Sequence, residues 1–583
     1  MANERTIPIS APADLPTFTI YLDGKEMNGI YQVFNINTLK QVNRIPVANI
    51  LLKDGDVAKE DFEISNLDDF LPGAEIEIHA GYHKIEEIIF KGIIIKHGLK
   101  IKKGKPSYLE IEAKDEAVKL TVGRKNKFFY DSKDSDIIQE IIGEYPRSSS
   151  NIKGTTVNHK ELVQFYTTDW DYIVTRCEAN GMLVFVDNGE IAAKKPELGN
   201  PALTLVYGST ILEFESVIDA RNQLESIVAR SWDYAKQEMI ESDAQDPGYA
   251  LAGDLDTATL SGVIGLGKYD LIHSGNLHDE EISSWADAAM IKTKLSKIRG
   301  RVSFQGYPSI KPGNTIELKG VGNRFNGNLF VSGVSHQINK SNFVTNVEFG
   351  ISPEWFSEKQ KDIQAPMAGG IIPPIQGLQI GKVTQIHEDP DGEHRVKIRI
   401  PVISTEEEGI WARYASPDAG DGRGIYFRPE VDDEVVIGFI NNDPRYAVVL
   451  GNLHSSALPT PIDEAEENNE KGIVTRGGMK LVFDDNKKNI MINTPNGNEI
   501  LLSEDEKIIR LTDENSNKIE LSSSGILMES NKDITIKAQG DVTVESTNIT
   551  LKASAQIKAE GSSGAELSSS GSAVIKGAVV QIN

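Results

Sequence analysis

From Phe18 to about Ala113, apolar and polar residues alternate in short runs, as in Phe18-Thr19-Ile20-Tyr21-Leu22, Ile76-Glu77-Ile78 and Leu109-Glu110-Ile111-Glu112-Ala113. A period of two puts alternate side chains on opposite faces of an extended chain, so these runs predict half-buried strands. Three segments carry helical spacing instead: Ile137, Ile138, Ile141 and Ile142; Trp170, Ile173, Val174 and Cys177; and Ile282, Trp285, Ala289, Leu295 and Ile298. The second is punctuated at both ends. Thr168 with Asp171 three residues on has the form of a capping box with Asp in the Glu role, and Asn180-Gly181 supplies a left-handed stop.

Pro72-Gly73-Ala74-Glu75-Ile76-Glu77-Ile78 is echoed by Pro312-Gly313-Asn314-Thr315-Ile316-Glu317-Leu318 at an offset of 240, which Phe90 and Phe330 share. The echo predicts two barrel-like units of one ancestry, 16–210 with inserted helices and 211–355, after an N-terminal arm at 1–15. A linker at 356–376 contains the breaker cluster Ala368-Gly369-Gly370-Ile371-Ile372-Pro373-Pro374. Residues 377–458 then carry about five short strands, enough for a small closed barrel of the OB type. A second, acidic linker at 459–472 includes Asp463-Glu464-Ala465-Glu466-Glu467.

Beyond residue 473 apolar pairs at i and i+2 recur, from Leu481/Phe483 and Ile490/Ile492 through Ile534/Ile536 to Val580/Ile582. Their spacing is nine or ten residues at first and then settles to seven or eight. Each repeat reads as one short strand with two inward side chains and a Gly, Ser, Asn or Asp turn, and such a strand cannot bury its apolar face alone. A single-chain solenoid would show a superperiod of two or three strands with distinct corners, which is absent. Equivalent octads suit a prism in which three chains intertwine, so a homotrimeric β-helix is expected at 473–583. Its end at Val579, Val580, Ile582 and Asn583 would expose strand edges and core, a surface that recruits a partner.

Composition narrows the function. The chain has 583 residues, about four domains' worth. Its formal charge of -25 repels a phosphate backbone, so nucleic acid is not an expected partner. Apolar runs such as Met182–Val186 are far shorter than a bilayer span. The first residues lack an apolar signal-peptide core, which predicts synthesis in the cytoplasm without Sec export. A single cysteine, Cys177, excludes an intramolecular disulfide framework and any Cys-based zinc cluster.

Ile425 to Ile440, with Asp443-Pro444 and Val448 to His454, resembles the OB core of VgrG and phage baseplate spike proteins; its marks are Phe427, Pro429, Glu430, Glu434, Gly438, Phe439, Asp443, Pro444 and Gly451. Gly306-Tyr307-Pro308, Lys311-Pro312-Gly313, Phe325-Asn326-Gly327 and Val334-Ser335-His336 are similar to the hub of that family. The resemblance implies a mainly β protein: two barrel-like hub domains with a few helices, an OB barrel and a C-terminal trimeric β-helix needle. It implies the central spike of a contractile injection system, either type VI or a released phage-tail-like particle. The implied partners are two further copies of the chain, a hexameric tail-tube protein and baseplate proteins at the hub, a PAAR-type tip protein at the needle end, and a target membrane crossed by mechanical penetration.

No constellation predicts catalysis, a cofactor or a metal. His387 to His394 holds two histidines seven apart with Pro390 and Gly392 between them, which forbids a zinc-binding helix and reads as a charged hairpin loop. Gly262 to Gly267 has no βαβ setting of the kind a phosphate loop needs and reads as a flexible loop. Cys177 reads as a core thiol, and Asp432, Asp433, Glu434 and Asp443 as solvated loop charges. Only Ser455 to Gly472 separates barrel from repeats, too short for the lysozyme domain that some phage spikes carry there, and no effector domain is expected after Asn583. The rival readings, a β-helical polysaccharide-degrading enzyme or an adhesin, need clustered charged positions on neighbouring repeats or a membrane anchor.

Overall fold

The alternating runs become strands of a mainly β protein. The computed structural model describes residues 15–582. The chain divides into two units, Met1–Gly377 with Phe439–Tyr446, and Leu378–Gly438 with Ala447–Asn583. Most of the expected N-terminal arm, and Asn583, lie outside the described residues.

The first unit begins with β1 (Pro16–Leu22), β2 (Lys25–Glu26), β3 (Gln32–Gln41), β4 (Val47–Lys53), β5 (Glu75–Tyr82), β6 (Ile85–Lys100) and β7 (Tyr108–Lys114), hydrogen-bonded in the order β3-β4-β7-β6-β5-β1-β2. The inward members of the alternating runs, among them Ile20, Ile36, Ile50, Ile78 and Ile111, form one fully buried core. Next come β8 (Lys125–Lys133), α1 (Asp134–Gly143), β9 (Ser149–Ile152), β10 (Asn158–Thr167), α2 (Asp169–Ala179), β11 (Leu183–Asp187) and β12 (Glu190–Lys194). The apolar faces of α1 and α2 pack together there, with Cys177 wholly buried among them. Thr168 caps α2 by accepting the Asp171 N–H at 3.1 Å. Asp171 does not complete the box: one methylene shorter than Glu, its carboxylate accepts the Thr168 hydroxyl at 2.6 Å.

A second sheet follows, from β13 (Leu203–Val206), β14 (Ile211–Ile218), β15 (Ile227–Asp233), β16 (Glu238–Asp243), α3 (Thr257–Ile264), β17 (Tyr269–His273), α4 (Asp279–Leu295), β18 (Ile298–Gln305), β19 (Thr315–Lys319), β20 (Gly327–Ile338) and β21 (Phe343–Phe349). Its order is β14-β18-β21-β20-β19-β13, with β15–β17, α3 and α4 inserted between β14 and β18. Strand for strand, this is the order β3-β4-β7-β6-β5-β1 again. At the echoed turn the hydrogen bonds repeat as well. Gly73 N–H donates to Ile94 O and Ile94 N–H to Ala74 O, while Gly313 N–H donates to Val331 O and Val331 N–H to Asn314 O. Both glycines hold positive φ, +105° and +90°, which a side chain would strain. A bulge recurs at Ile94/Lys96 and at Val331/Gly333.

Several expectations are corrected. The two barrel-like hub units are joined, because β20 pairs with β3 from Gly333↔Gln41 to Ile338↔Ile36 and links them into one 13-stranded sheet. Phe90 and Phe330 are not counterparts, because beyond the shared turn Ile94 matches Val331 and the offset falls by three. The second repeat starts before 211, since β13 pairs with β19. Ile298 opens β18 rather than extending α4, and Gly262 to Ile264 are the last turn of α3, stopped by Gly265 at φ +74°. The expected linker contains α5 (Phe356–Lys359), whose Phe356 is buried.

The OB region is built from β22 (Gln379–Gln385), β23 (Val396–Arg399), β24 (Ile410–Tyr414), β25 (Ala419–Gly420), β26 (Arg423–Gly424), β27 (Glu434–Phe439) and β28 (Ala447–Asn452). Five of these close a barrel in the order β22-β23-β24-β28-β27, filled by Val383, Val396, Ile398, Ala412, Val435, Ile437 and Val449.

After it, β29 (Glu470–Val474), β30 (Lys480–Asp484), β31 (Asn489–Asn493), β32 (Glu499–Ser503), β33 (Ile508–Thr512), β34 (Lys518–Ser522) and β35 (Gly525–Glu529) form an antiparallel meander, each strand beside the next. Two corrections follow. The acidic linker ends before 470, because Glu470 already pairs with Asp484. The early repeats do have partners within the chain, because the longer spacing leaves four or five residues to reverse direction, and Ser523-Ser524 does so between β34 and β35. Among the described residues no strand is paired after Glu529; bends recur at 531–532, 539–540, 547, 554–555, 562–563, 570–571 and 578–579, in step with the octads.

Candidate functional site

The meander aligns its apolar pairs into two continuous ladders on one face. One runs Leu481, Ile492, Ile500, Leu511, Ile519, Met528, and the other Phe483, Ile490, Leu502, Ile509, Leu521, Ile526, each residue in register with the next. Period-two side chains and antiparallel pairing force this: once one pair faces a given side, every in-register pair does. Nearly all of these side chains remain more than one-third exposed. A groove of about 570 Å³ runs along the first ladder, lined by Ile492, Ile500, Leu511, Ile519, Met528 and Ile534. The opposite face is the more covered one, with Val482 and Leu501 buried. Apolar pairs of the unpaired octads, such as Ile549 and Leu551, are exposed in the same way.

Such a surface has no chemistry beyond burial. A contiguous apolar stripe of this length is more than a scatter of single exposed apolar residues. The expected tip residues Val579, Val580 and Ile582 are exposed by 84%, 48% and 86%.

The OB marks fall on or beside the barrel. Pro429, Gly438 and Gly451 are at least half-buried, Phe427 is exposed, and Glu430 accepts from the Arg476 guanidinium at 2.8 Å. Asp433 ties the barrel by accepting from Glu430 N–H and Asn452, both at 2.9 Å. Asp443 is not a solvated charge: its side chain is 8% exposed and bidentate to Arg445, whose hydrogen bonds hold its carboxyl below the usual range. The His387–His394 segment is the β22–β23 loop, pinned where Asp389 and Asp391 grip Arg395. No His, Cys, Asp and Glu cluster among the described residues has metal-site geometry.

Sequence reasoning did not single out the buried ionic ties. Asp134, at the start of α1, accepts from Arg176 at 2.6 and 3.0 Å, from Asn180 at 2.9 Å and from His159 at 3.0 Å. Burial alone would raise its pKa, but these hydrogen bonds and the Arg176 charge more than offset it and hold the carboxyl far below its ordinary value. Glu178 accepts from Lys292 at 2.8 Å and from Phe356 N–H at 2.6 Å, joining α2, α4 and α5. These groups hold layers together. Cys177 is kept protonated by burial, which pushes its thiol up.

The sequence from residue 12 to 340 matches the Alg8 N-terminal domain. The chain belongs to that family. Its Alg8 N-terminal domain covers the first repeat and the second as far as the end of β20. Residues 379–454 match the type VI secretion system/phage-baseplate injector OB domain, which coincides with the closed barrel. The resemblance to VgrG and phage baseplate spike proteins is thereby borne out at the barrel. Solved structures similar to the chain include the 43 kDa tail protein of prophage MuSo2 from Shewanella oneidensis, 8% identical with TM-score 0.44, covering 58% of this chain and 98% of that one. The E. coli c3393 protein, a component of the type VI secretion system, is 12% identical with TM-score 0.37 over 74% and 99% of the two chains. The Francisella PdpA-VgrG complex gives 9% identity and TM-score 0.38 over 88% and 80%. No curated protein matches the chain.

Proposed function

We propose that the chain is the homotrimeric central spike of a contractile injection system. The observation that carries this is the pair of exposed apolar ladders on a sheet that follows an injector OB domain. A sheet with one uncovered apolar face gains roughly 1.5–3 kcal/mol for each large side chain it buries, and three copies facing one axis bury both ladders at once. The unpaired octads would add their strands to those of neighbouring copies and extend the needle. Two repeats per chain in a trimer present six similar units, the number needed to meet a hexameric tail tube and its baseplate. The needle crosses the target membrane under the push of the sheath, a compressive task that asks for rigidity and no catalytic group. A PAAR-type tip protein would cover Val579, Val580 and Ile582.

The test is the mass of the purified chain by light scattering. About three times 64.0 kDa supports the trimer. A stable 64.0 kDa species at micromolar concentration overturns it.

A further inference from the structure

The segment between the repeats, β8 to β12, and the segment inserted in the second repeat, β15 to α4, meet around a cavity of about 190 Å³ inside the first unit. One wall is formed by Asp134, Arg176 and Asn180 with Val157 and Ala179 beside them. Facing it are Glu281 and Trp285 of α4 and the loop from His273 to Leu277. Each wall is held by contacts of its own. Asp134 grips Arg176 and Asn180, as described above. Ser231 fixes the loop, its hydroxyl donating to Gly275 O at 2.6 Å and accepting the Leu277 N–H at 2.7 Å. Glu281 and Trp285 stand four residues apart on α4, which puts them one turn apart on the same face.

These contacts leave one charged group unspent. The Arg176 guanidinium is neutralised by Asp134, which takes hydrogen bonds from its Nε and Nη2 at 2.6 and 3.0 Å. Glu281 stands 3.6 Å from Arg176 Nη2, too far for a hydrogen bond, and among the described residues its carboxylate accepts none. Its side chain is only 22% exposed. A carboxylate largely out of water and without a donor is costly, and a ligand that brings N–H groups to it recovers that cost. Two carboxylates, Asp134 and Glu281, and one guanidinium, Arg176, leave the cavity a formal charge of -1. Asp279 and Glu280 share the first turn of α4 with Glu281, and three acids outweigh the half-charge of the helix N-terminus. The field favours a cation and repels an anion.

We propose that this cavity binds a primary ammonium group on a short aliphatic stem. Glu281 accepts its N–H groups, the Trp285 ring faces its charge, and Val157, Ala179 and Leu277 line its methylenes. At about 190 Å³ the space is smaller than the roughly 300–1,000 Å³ of sites that enclose drug-sized ligands, so it takes a side-chain-sized group and no nucleotide or oligosaccharide. The same chemistry has two sources, a free diamine and the lysine side chain of another protein. From either source the ligand touches both segments at once. Binding therefore ties α2 to α4 and stabilises the first unit by mass action.

Calorimetric titration of the full-length chain with cadaverine tests this, with pentanol as the uncharged comparison. Expected are saturation at one site per chain with a Kd below about 1 mM, and no saturable heat from pentanol. Glu281→Gln should weaken cadaverine about tenfold or more, and Trp285→Leu roughly fivefold. Ala179→Leu, which fills the cavity from the opposite wall without changing its charge, should abolish binding; it keeps the test decisive where a variant of α4 folds poorly. Amines also collect diffusely on a chain of formal charge -25, but such binding does not saturate at one site and persists in Glu281→Gln. Nα-acetyl-lysine methylamide separates the sources: affinity equal to that of cadaverine assigns the site to a lysine side chain, and binding of cadaverine alone assigns it to a free diamine. Heats that do not saturate, equal responses to cadaverine and pentanol, or unchanged affinity in both Glu281→Gln and Ala179→Leu would overturn the proposal.

Discussion

Ile492 on β31 and Ile500 on β32 stand directly opposite one another on the same face of the meander, and 45% and 38% of their surfaces remain exposed. Pairing has satisfied their backbones and left their side chains in water. Replacing Ile500 with Asp should abolish assembly of the needle, because each copy would bring a carboxylate to a surface that excludes water. Light scattering should show the loss of the three-chain mass or a much lower thermal resistance. Glu514→Gln, in an exposed turn, should leave both unchanged.

Asp134→Asn should destabilise the first unit by about 3 kcal/mol, since it strips the buried carboxylate from the half-buried Arg176. The depressed Asp134 carboxyl stabilises the fold above about pH 3.9, its ordinary value when unfolded, and that contribution fades as pH falls below it. The wild type should therefore have a higher urea midpoint at pH 7, and the difference should shrink in strong acid.

His336 lies in the β3–β20 joint, wholly buried, where desolvation and the charge of Lys40 push its pKa down to about 3. Unfolded, it would titrate near 6.5. The folded state thus binds fewer protons between these values: stability is intact above about pH 6.5 and falls by up to about 1.4 kcal/mol per pH unit until about pH 3. His336→Gln, able to keep a hydrogen bond to Thr345, should flatten unfolding midpoints measured from pH 7 to pH 4.

Ile582→Asp should prevent capture of a PAAR-type tip protein while leaving the hub unaffected, because repeats mainly contact their neighbours. Co-purification with wild-type and variant spikes decides this. Equal recovery would place the tip contact elsewhere.

The sequence declared its elements where a period was strong. Ile137 to Ile142 and Trp170 to Cys177 announced α1 and α2, and the pairs from Leu481/Phe483 to Ile526/Met528 announced β30 to β35, whereas the later pairs fall on no strand among the described residues. It announced the duplication only at the Pro-Gly turns, where backbone geometry demands particular residues. The shared strand order was hidden because pairing is a property of edges, which carry no residue signature, and because Ile227 to Leu295 is inserted into the second repeat. The Asp134 cluster was equally hidden: its members are far apart in the chain and meet only when α1 packs on α2.

The unpaired octads after Glu529 also govern timing. A strand with a partner on its own chain folds at a rate independent of dilution, as the meander can. Residues 533–582 have no such partner among the described residues, so any pairing they acquire must wait for collisions and its rate must rise with concentration. In the proposed trimer release would obey a different law: strands from several chains would have to let go together, so dilution would not hasten it. A structure that forms slowly when scarce and, once formed, ignores scarcity is suited to leaving the compartment in which it was made.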